Sequence, residues 1–210
     1  MLRASLLLAI LVAAAHADTP KPPKLAAHYA PLFEKGRTWV YDTSLTTWAD
    51  SDGKKKRTDR GVVTCTVADV STRVGARFSH VTCDKDDNRK FRVAGYYAAT
   101  GTGMWWFRAV DLPTDEDLAG WMKDPPAIAS RPKVFRKVRK MGGPDPKHDD
   151  IIEGIRATSG GWCVYEDSGN ADVDGGKTSV CYVAGIGIAS AEDDIGGELN
   201  DFAYTARRKK

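Results

Sequence analysis

Apolar and threonine-rich positions recur along this chain at a spacing of two. They come in short runs broken by glycine, proline and acidic turns, and this pattern predicts strands. Thr38 to Ala49 holds Trp39, Tyr41 and Trp48 among threonines, a composition that suits a pleated surface. Asp52-Gly53, inside Asp50 to Lys56, is a hairpin signal, and Arg57 to Val70 carries the chain back. Arg73-Val74-Gly75 separates Gly61–Val70 from Ala76–Asp84, a second hairpin. Arg89 to Ala98 sets Phe91, Val93 and Tyr97 on one face, and Met104 to Phe107 suits a strand buried on both faces. The last third repeats the pattern at Ile151–Ala157, Trp162–Glu166, Thr178–Val183, Ile186–Ala191 and Leu199–Arg207.

One segment reads differently. Thr114 can cap a helix running to Lys123, with Asp115, Glu116 and Asp117 in its first turn, where the helix dipole favours negative charge. Leu118, Trp121 and Met122 form its apolar stripe, and Pro125-Pro126 ends it. Residues 127–141 fit either period, and their β surroundings favour a strand. Adjacent aromatics at Tyr96-Tyr97 and Trp105-Trp106-Phe107 point to opposite faces of any strand. The outward ones then need a second layer, a ligand groove or a partner, and the 114–123 helix is the candidate cover. The expected fold is mainly β: a curved antiparallel sheet, partial barrel or sandwich with one short helix, stapled by disulfides.

Met1 to Ala17 reads as a cleavable export signal. Arg3 precedes the apolar run Ala4 to Ala15, and Ala15-His16-Ala17 is a small-x-small cleavage site. The run falls short of the roughly 20 residues that span a bilayer. The expected organisation is signal 1–17, an extended Pro-rich leader 18–30, and a single β-rich domain 31–210. Removing 17 residues from 210 leaves 193, and the loss of Arg3 lowers the formal charge from +3 to +2. So balanced a charge argues against a nucleic-acid partner. No other stretch reaches membrane-spanning length, so the expected location is secreted or periplasmic, soluble after cleavage.

Export lets thiols oxidise, which gives the four cysteines their meaning. Cys65 and Cys83 have 17 residues between them, and so do Cys163 and Cys181. Each pair brackets a hairpin, which favours Cys65–Cys83 and Cys163–Cys181 among three possible connectivities. Pairing the first hairpin about Val74 sets Cys65 opposite Cys83, Val67 opposite Val81 and Val70 opposite Phe78. Closing each loop stabilises the fold by about 3 kcal/mol in the chain-entropy picture. The spacing lacks the paired motif of a four-cysteine zinc site or a C-x-x-C redox site.

Features with chemical potential are sparse. His28, His80 and His148 outlast processing, with no nucleophile elbow beside them, and are expected as exposed or hydrogen-bonded side chains. Asn170, Asp172, Asp174 and Gly175 match half of a calcium loop, but its last ligand position is Cys181 rather than glutamate. Asp84, Asp86, Asp87 and Asn88, like Glu192-Asp193-Asp194, read as solvated turns. Lys54 to Arg57, and six of the ten residues from Arg131 to Lys140, are basic. They suit an anionic partner, or a turn tip and an edge strand guarded by its lysines. No catalytic, cofactor-binding or metal-binding residue is assigned.

Pro31-Leu32 with Gly36-x-x-Trp39-x-Tyr41, the segment Gly95-Tyr96-Tyr97-Ala98-Ala99, and Tyr182-Val183-Ala184-Gly185-Ile186-Gly187-Ile188 resemble a loose group of exported bacterial β-proteins. Those open with a P-L-x-x-G-x-x-W-x-Y strand and close with Y-x-x-G-x-G-h (h apolar) and a last strand. The four cysteines depart from the pattern. The resemblance implies fold class and location and brings no active site. The expected function is non-catalytic binding of an apolar small molecule or a cell-envelope partner. A hydrolase with an unfamiliar site and a purely structural envelope protein are the alternatives. Non-reducing peptide mapping of the exported protein should link Cys65 to Cys83 and Cys163 to Cys181, with Asp18 as the first residue.

Overall fold

The computed structural model describes residues 24–48, 56–84, 93–108, 111–140, 150–168, 176–195 and 202–209. Six strands lie in the first part of the chain: β1 (Thr38–Trp48), β2 (Lys56–Arg73), β3 (Ala76–Cys83), β4 (Gly95–Ala99), β5 (Gly103–Phe107) and β6 (Ile128–Ala129). Six follow: β7 (Phe135–Lys140), β8 (Asp150–Thr158), β9 (Gly161–Asp167), β10 (Gly176–Val183), β11 (Gly187–Ile195) and β12 (Phe202–Arg208). All pair antiparallel in one sheet of order β6-β5-β4-β3-β2-β1-β12-β11-β10-β9-β8-β7. Each half of the chain is thus a meander of neighbouring hairpins, and β1 joins β12 at the seam, from Tyr41↔Arg208 to Thr47↔Phe202.

The two ends of that sheet, β6 and β7, do not pair with each other. Only residues 130–134 connect them, a link that spans at most about 20 Å. A flat sheet of twelve strands at about 4.8 Å each would hold its edges about 50 Å apart. The sheet therefore curls into an incomplete barrel. Twelve strands enclose more space than their own side chains fill, and the segment before β1 plugs part of it. Tyr29, Leu32 and Phe33, in and beside a 3-10 turn at Ala30–Phe33, are buried against Trp39, Tyr41, Val63, Cys65, Val81, Tyr97, Met104, Ile128 and Ile188. The leader expected over 18–30 is corrected at its end, residues 18–23 lying outside the described ones: His28 to Phe33 turn back into the core, where Tyr29, Leu32 and Phe33 fill part of the wide barrel.

Motif residues far apart in sequence meet at one place. Trp39 Nε1 donates to Ile186 O at 2.6 Å, and Tyr41 Oη donates to Ile188 O at 2.8 Å. Pro31, Leu32 and Trp39 all lie against Gly187. The opening strand and the Y-x-x-G-x-G-h segment are therefore two sides of one structural clamp. Three residues, Phe33 to Lys35, separate Leu32 from Gly36, one more than in the pattern quoted above.

Both disulfides form as favoured, between directly opposed residues: Cys65–Cys83 and Cys163–Cys181. Val67 pairs with Val81 as expected, but Val70 lies opposite Ser79, and Phe78 opposite Ser71. The reason is the turn. Arg73 pairs with Ala76, so the loop is the two residues Val74 (φ 49°) and Gly75 (φ 75°), not three. An irregularity between Val67 and Asp69 absorbs the extra residue and restores the cysteine register.

The second layer is present. Helix α1 (Asp115–Trp121) is capped by Thr114, whose Oγ1 accepts from Asp117 N while Asp117 accepts from Thr114 N, a capping box. Leu118 packs with Phe78 and Tyr96, and Trp121 with Phe107, on the outer face of the sheet. Tyr97 faces the main core instead, so each aromatic of the Tyr96-Tyr97 pair is buried on its own side. One further expectation is corrected. Glu192-Asp193-Asp194 is no turn: the three continue β11, paired with Ser179, Thr178 and Lys177, and Asp193 is buried. Ladder partners on both sides, β10 and β12, outweigh the turn preference of acidic residues.

Val74 is a β-branched residue in the left-handed region, which costs about 1 kcal/mol. Val74→Asn, giving the Asn-Gly turn that suits this geometry, should raise the unfolding free energy by about 1 kcal/mol in denaturant titration. An unchanged or lower midpoint would contradict the turn.

Candidate functional site

Where the curled sheet fails to close, a cavity of about 580 Å³ remains. One wall is Trp106 of β5 with Pro125, Pro126, Ala127 and Ala129. The other comes from the far end of the sheet, with Phe135 of β7, Ile155 of β8, Val164 of β9, and Val180 and Tyr182 of β10. The register explains this second wall. Phe135, Ile155, Val164 and Val180 are successive cross-strand partners, so all four share the inward face. Two residues along, Lys137, Glu153, Glu166 and Thr178 form the next inward row, and the last three line the polar end of the cavity.

Local chemistry fixes the first wall. Trp105 Nε1 donates to Asp124 O at 2.8 Å, and Trp106 Nε1 donates to Ala94 O at 3.2 Å, so neighbouring indoles are anchored on opposite faces. Pro126 lies so close over Gly103 that a Cβ there would stand 2.7 Å from the ring. Any larger residue would push the 125–127 segment off β5. At the polar end, Lys137 Nζ sits 3.1 Å from Glu153, which lies opposite Glu166. One cation thus faces two like-charged neighbours, leaving that end net acidic.

The described histidines do not form a catalytic set. His28 is buried, not ahead of the fold, and Nε2 donates to Ala129 O at 3.2 Å behind the cavity wall. Burial holds its imidazole below the ordinary value, partly offset by that hydrogen bond. His80 stacks on Tyr96 at 4.3 Å within the outer cluster. Burial lowers it too, opposed by the charge of Asp69. Asp69 is itself ion-paired with Lys35 at 3.1 Å. Asp84 accepts from Thr64 N, a structural turn bond. His148, the half calcium loop at 170–175, Asp86, Asp87, Asn88, Lys54 and Lys55 lie outside the described residues. Among the described residues, no group of three or more His, Cys, Asp or Glu could hold a metal ion, and no helix is long and apolar enough to cross a membrane.

Trp106 was visible in the sequence as a two-faced aromatic, whereas Ile155, Val164 and Val180 carried no signal beyond strand alternation. Their convergence with Trp106 depends on the curl. Comparison with known protein families, curated proteins and solved structures finds no match.

The depressed His28 and His80 give stability a pH dependence. Neutral imidazole is favoured in the folded state, so the unfolded chain binds more protons as pH falls below about 6.5. Their contribution is complete above that value and is lost as pH drops through the lowered folded-state values. The denaturant midpoint should fall between about pH 7 and about pH 5. His28→Gln, which keeps an N–H donor for Ala129 O, should flatten that slope; an unchanged slope would show that His28 does not contribute.

Proposed function

We propose that this is an exported, non-catalytic binding domain that holds one apolar small molecule in the cavity between β5–β6 and β8–β10. The observation that carries it is the cavity itself. Its volume of about 580 Å³ lies within the usual range for small-ligand sites, about 300–1,000 Å³. Its lining is aromatic and aliphatic, with a few polar groups gathered at one end, the arrangement that fixes a ligand's orientation. Glu153 and Glu166 at that end favour a hydroxyl or amino group over a carboxylate. Two disulfides and the sequence likeness to exported bacterial β-proteins support the external location.

Native mass spectrometry of the oxidised protein, with organic extraction, tests for a retained molecule. A neutral apolar fluorophore bearing an N–H group, N-phenyl-1-naphthylamine, should bind and brighten. Val180→Phe fills the cavity from within, and Ala127→Trp blocks it from the exposed wall. Each should weaken binding by at least about tenfold, with any loss of stability from overpacking held to about 1–3 kcal/mol. Absence of both retained ligand and probe binding, or equal binding by the two folded variants, would overturn the reading.

A further inference from the structure

The sheet ends asymmetrically. Strand β6 is only two residues long and offers almost no edge, whereas β7 runs for six, Phe135 to Lys140. Among the described strands β7 pairs only with β8, so about half of its backbone N–H and C=O groups point away from the sheet. Its side chains are unusual for a bare edge. Arg136, Lys137 and Arg139 are exposed, and Arg131 and Lys133 lie just before them. On β8, Arg136 faces Gly154 and Arg139 faces Ile151, so only Lys137 meets a carboxylate across the ladder. No ion pair links Arg131, Lys133, Arg136 or Arg139 to another described residue.

Lysines and arginines alone would serve to keep an edge unpaired. They do not explain why Val134, Phe135 and Val138 are exposed there too, at 66%, 46% and 40%. An apolar edge without charge would pair with a second copy of itself. Here two antiparallel β7 strands in full register would set Arg136 against Arg139 twice and leave Val138 opposite Lys137, which is destabilising. The edge thus repels its own kind and keeps apolar contact area for a strand of opposite charge.

We propose that β7 takes an extended, acidic segment of a partner protein as an added strand, with two Asp or Glu to each apolar residue, the complement of the order Phe135-Arg136-Lys137-Val138-Arg139-Lys140. Main-chain hydrogen bonds along β7 supply the binding; Arg136 and Val138 share the outward face and Phe135 and Arg139 the inward one, so on each face an acidic side chain of the added strand meets an arginine and an apolar one covers its neighbour. Phe135 also lines the cavity, but neither arginine does, and strand addition along β7 needs no molecule inside, so the two readings are tested separately.

The test uses the full oxidised chain and a fluorescent peptide of about nine residues repeating Glu-Glu-Val. Controls are the same peptide N-methylated at alternate backbone positions, and vesicles of phosphatidylglycerol with phosphatidylcholine. The plain peptide should bind, with hydrogen-exchange protection gained by β7 amides. Affinity should fall at least about tenfold in the Arg136→Glu, Arg139→Glu double variant and on raising salt from about 0.1 M to about 0.5 M. The N-methylated peptide should not bind. Equal binding of the N-methylated peptide, protection away from β7, indifference to charge reversal, or binding of the vesicles but not the peptide would each overturn the proposal. Unchanged far-ultraviolet dichroism and intact disulfides in the double variant exclude unfolding as the cause.

Discussion

Residues 130–134 tether two edges of a sheet that would lie about 50 Å apart if the sheet were flat, and the overall shape follows from that short connection. The chain closes a ring covalently that its hydrogen bonds leave open. A fully bonded barrel has no edges, and a flat sheet has no interior. Among the described residues this sheet is intermediate: it encloses a cavity that their side chains leave open, and one long strand, β7, pairs on one side alone. The plug at Tyr29–Phe33, the cavity beside Trp106 and the free β7 strand are three consequences of the same geometry.

The seam opposite the tether is held differently. β1 and β12 come from opposite parts of the chain, so their pairing carries a large loop-closure cost that local hairpins do not bear. Side-chain bonds reinforce it. Trp39 and Tyr41 reach past the end of β12 to the carbonyls of Ile186, just before β11, and Ile188, near its start. Burial pushes the Tyr41 hydroxyl well above its usual range, so it remains a protonated donor at any physiological pH. The two disulfides act within hairpins already joined by short loops. They stiffen β2–β3 and β9–β10, and the seam depends on packing and the indole and phenol bonds instead.

Two covering layers explain the aromatic excess. The inner face takes Trp39, Tyr41, Tyr97 and Trp106, while α1 seals Phe78, Tyr96 and Phe107 on the outer face. Aromatics on both faces of β4 and β5 therefore do not by themselves indicate a ligand. The proposal of a bound molecule rests instead on the space that Trp106, Phe135 and Tyr182 line among the described residues.

Strand alternation, the helix cap at Thr114 and the cysteine spacing were legible in the sequence, since each is set by neighbours in the chain or by one hairpin. The cysteine register was right for a reason the sequence concealed. A tighter turn at Val74-Gly75 and a bulge beyond Val67 cancel, and both depend on sheet twist. The acidic stretch at 192–194 reads as a turn locally and becomes strand because β10 and β12 flank it. Likewise His28 gave no sign of burial, since what covers it is Ala129, 101 residues away. The sequence alone determined local conformation, stapling and the two-faced placement of aromatics. The tertiary structure alone decided the curl, the cavity and which edge stays open, because these arise from closing a wide sheet over contacts that no short window of sequence contains.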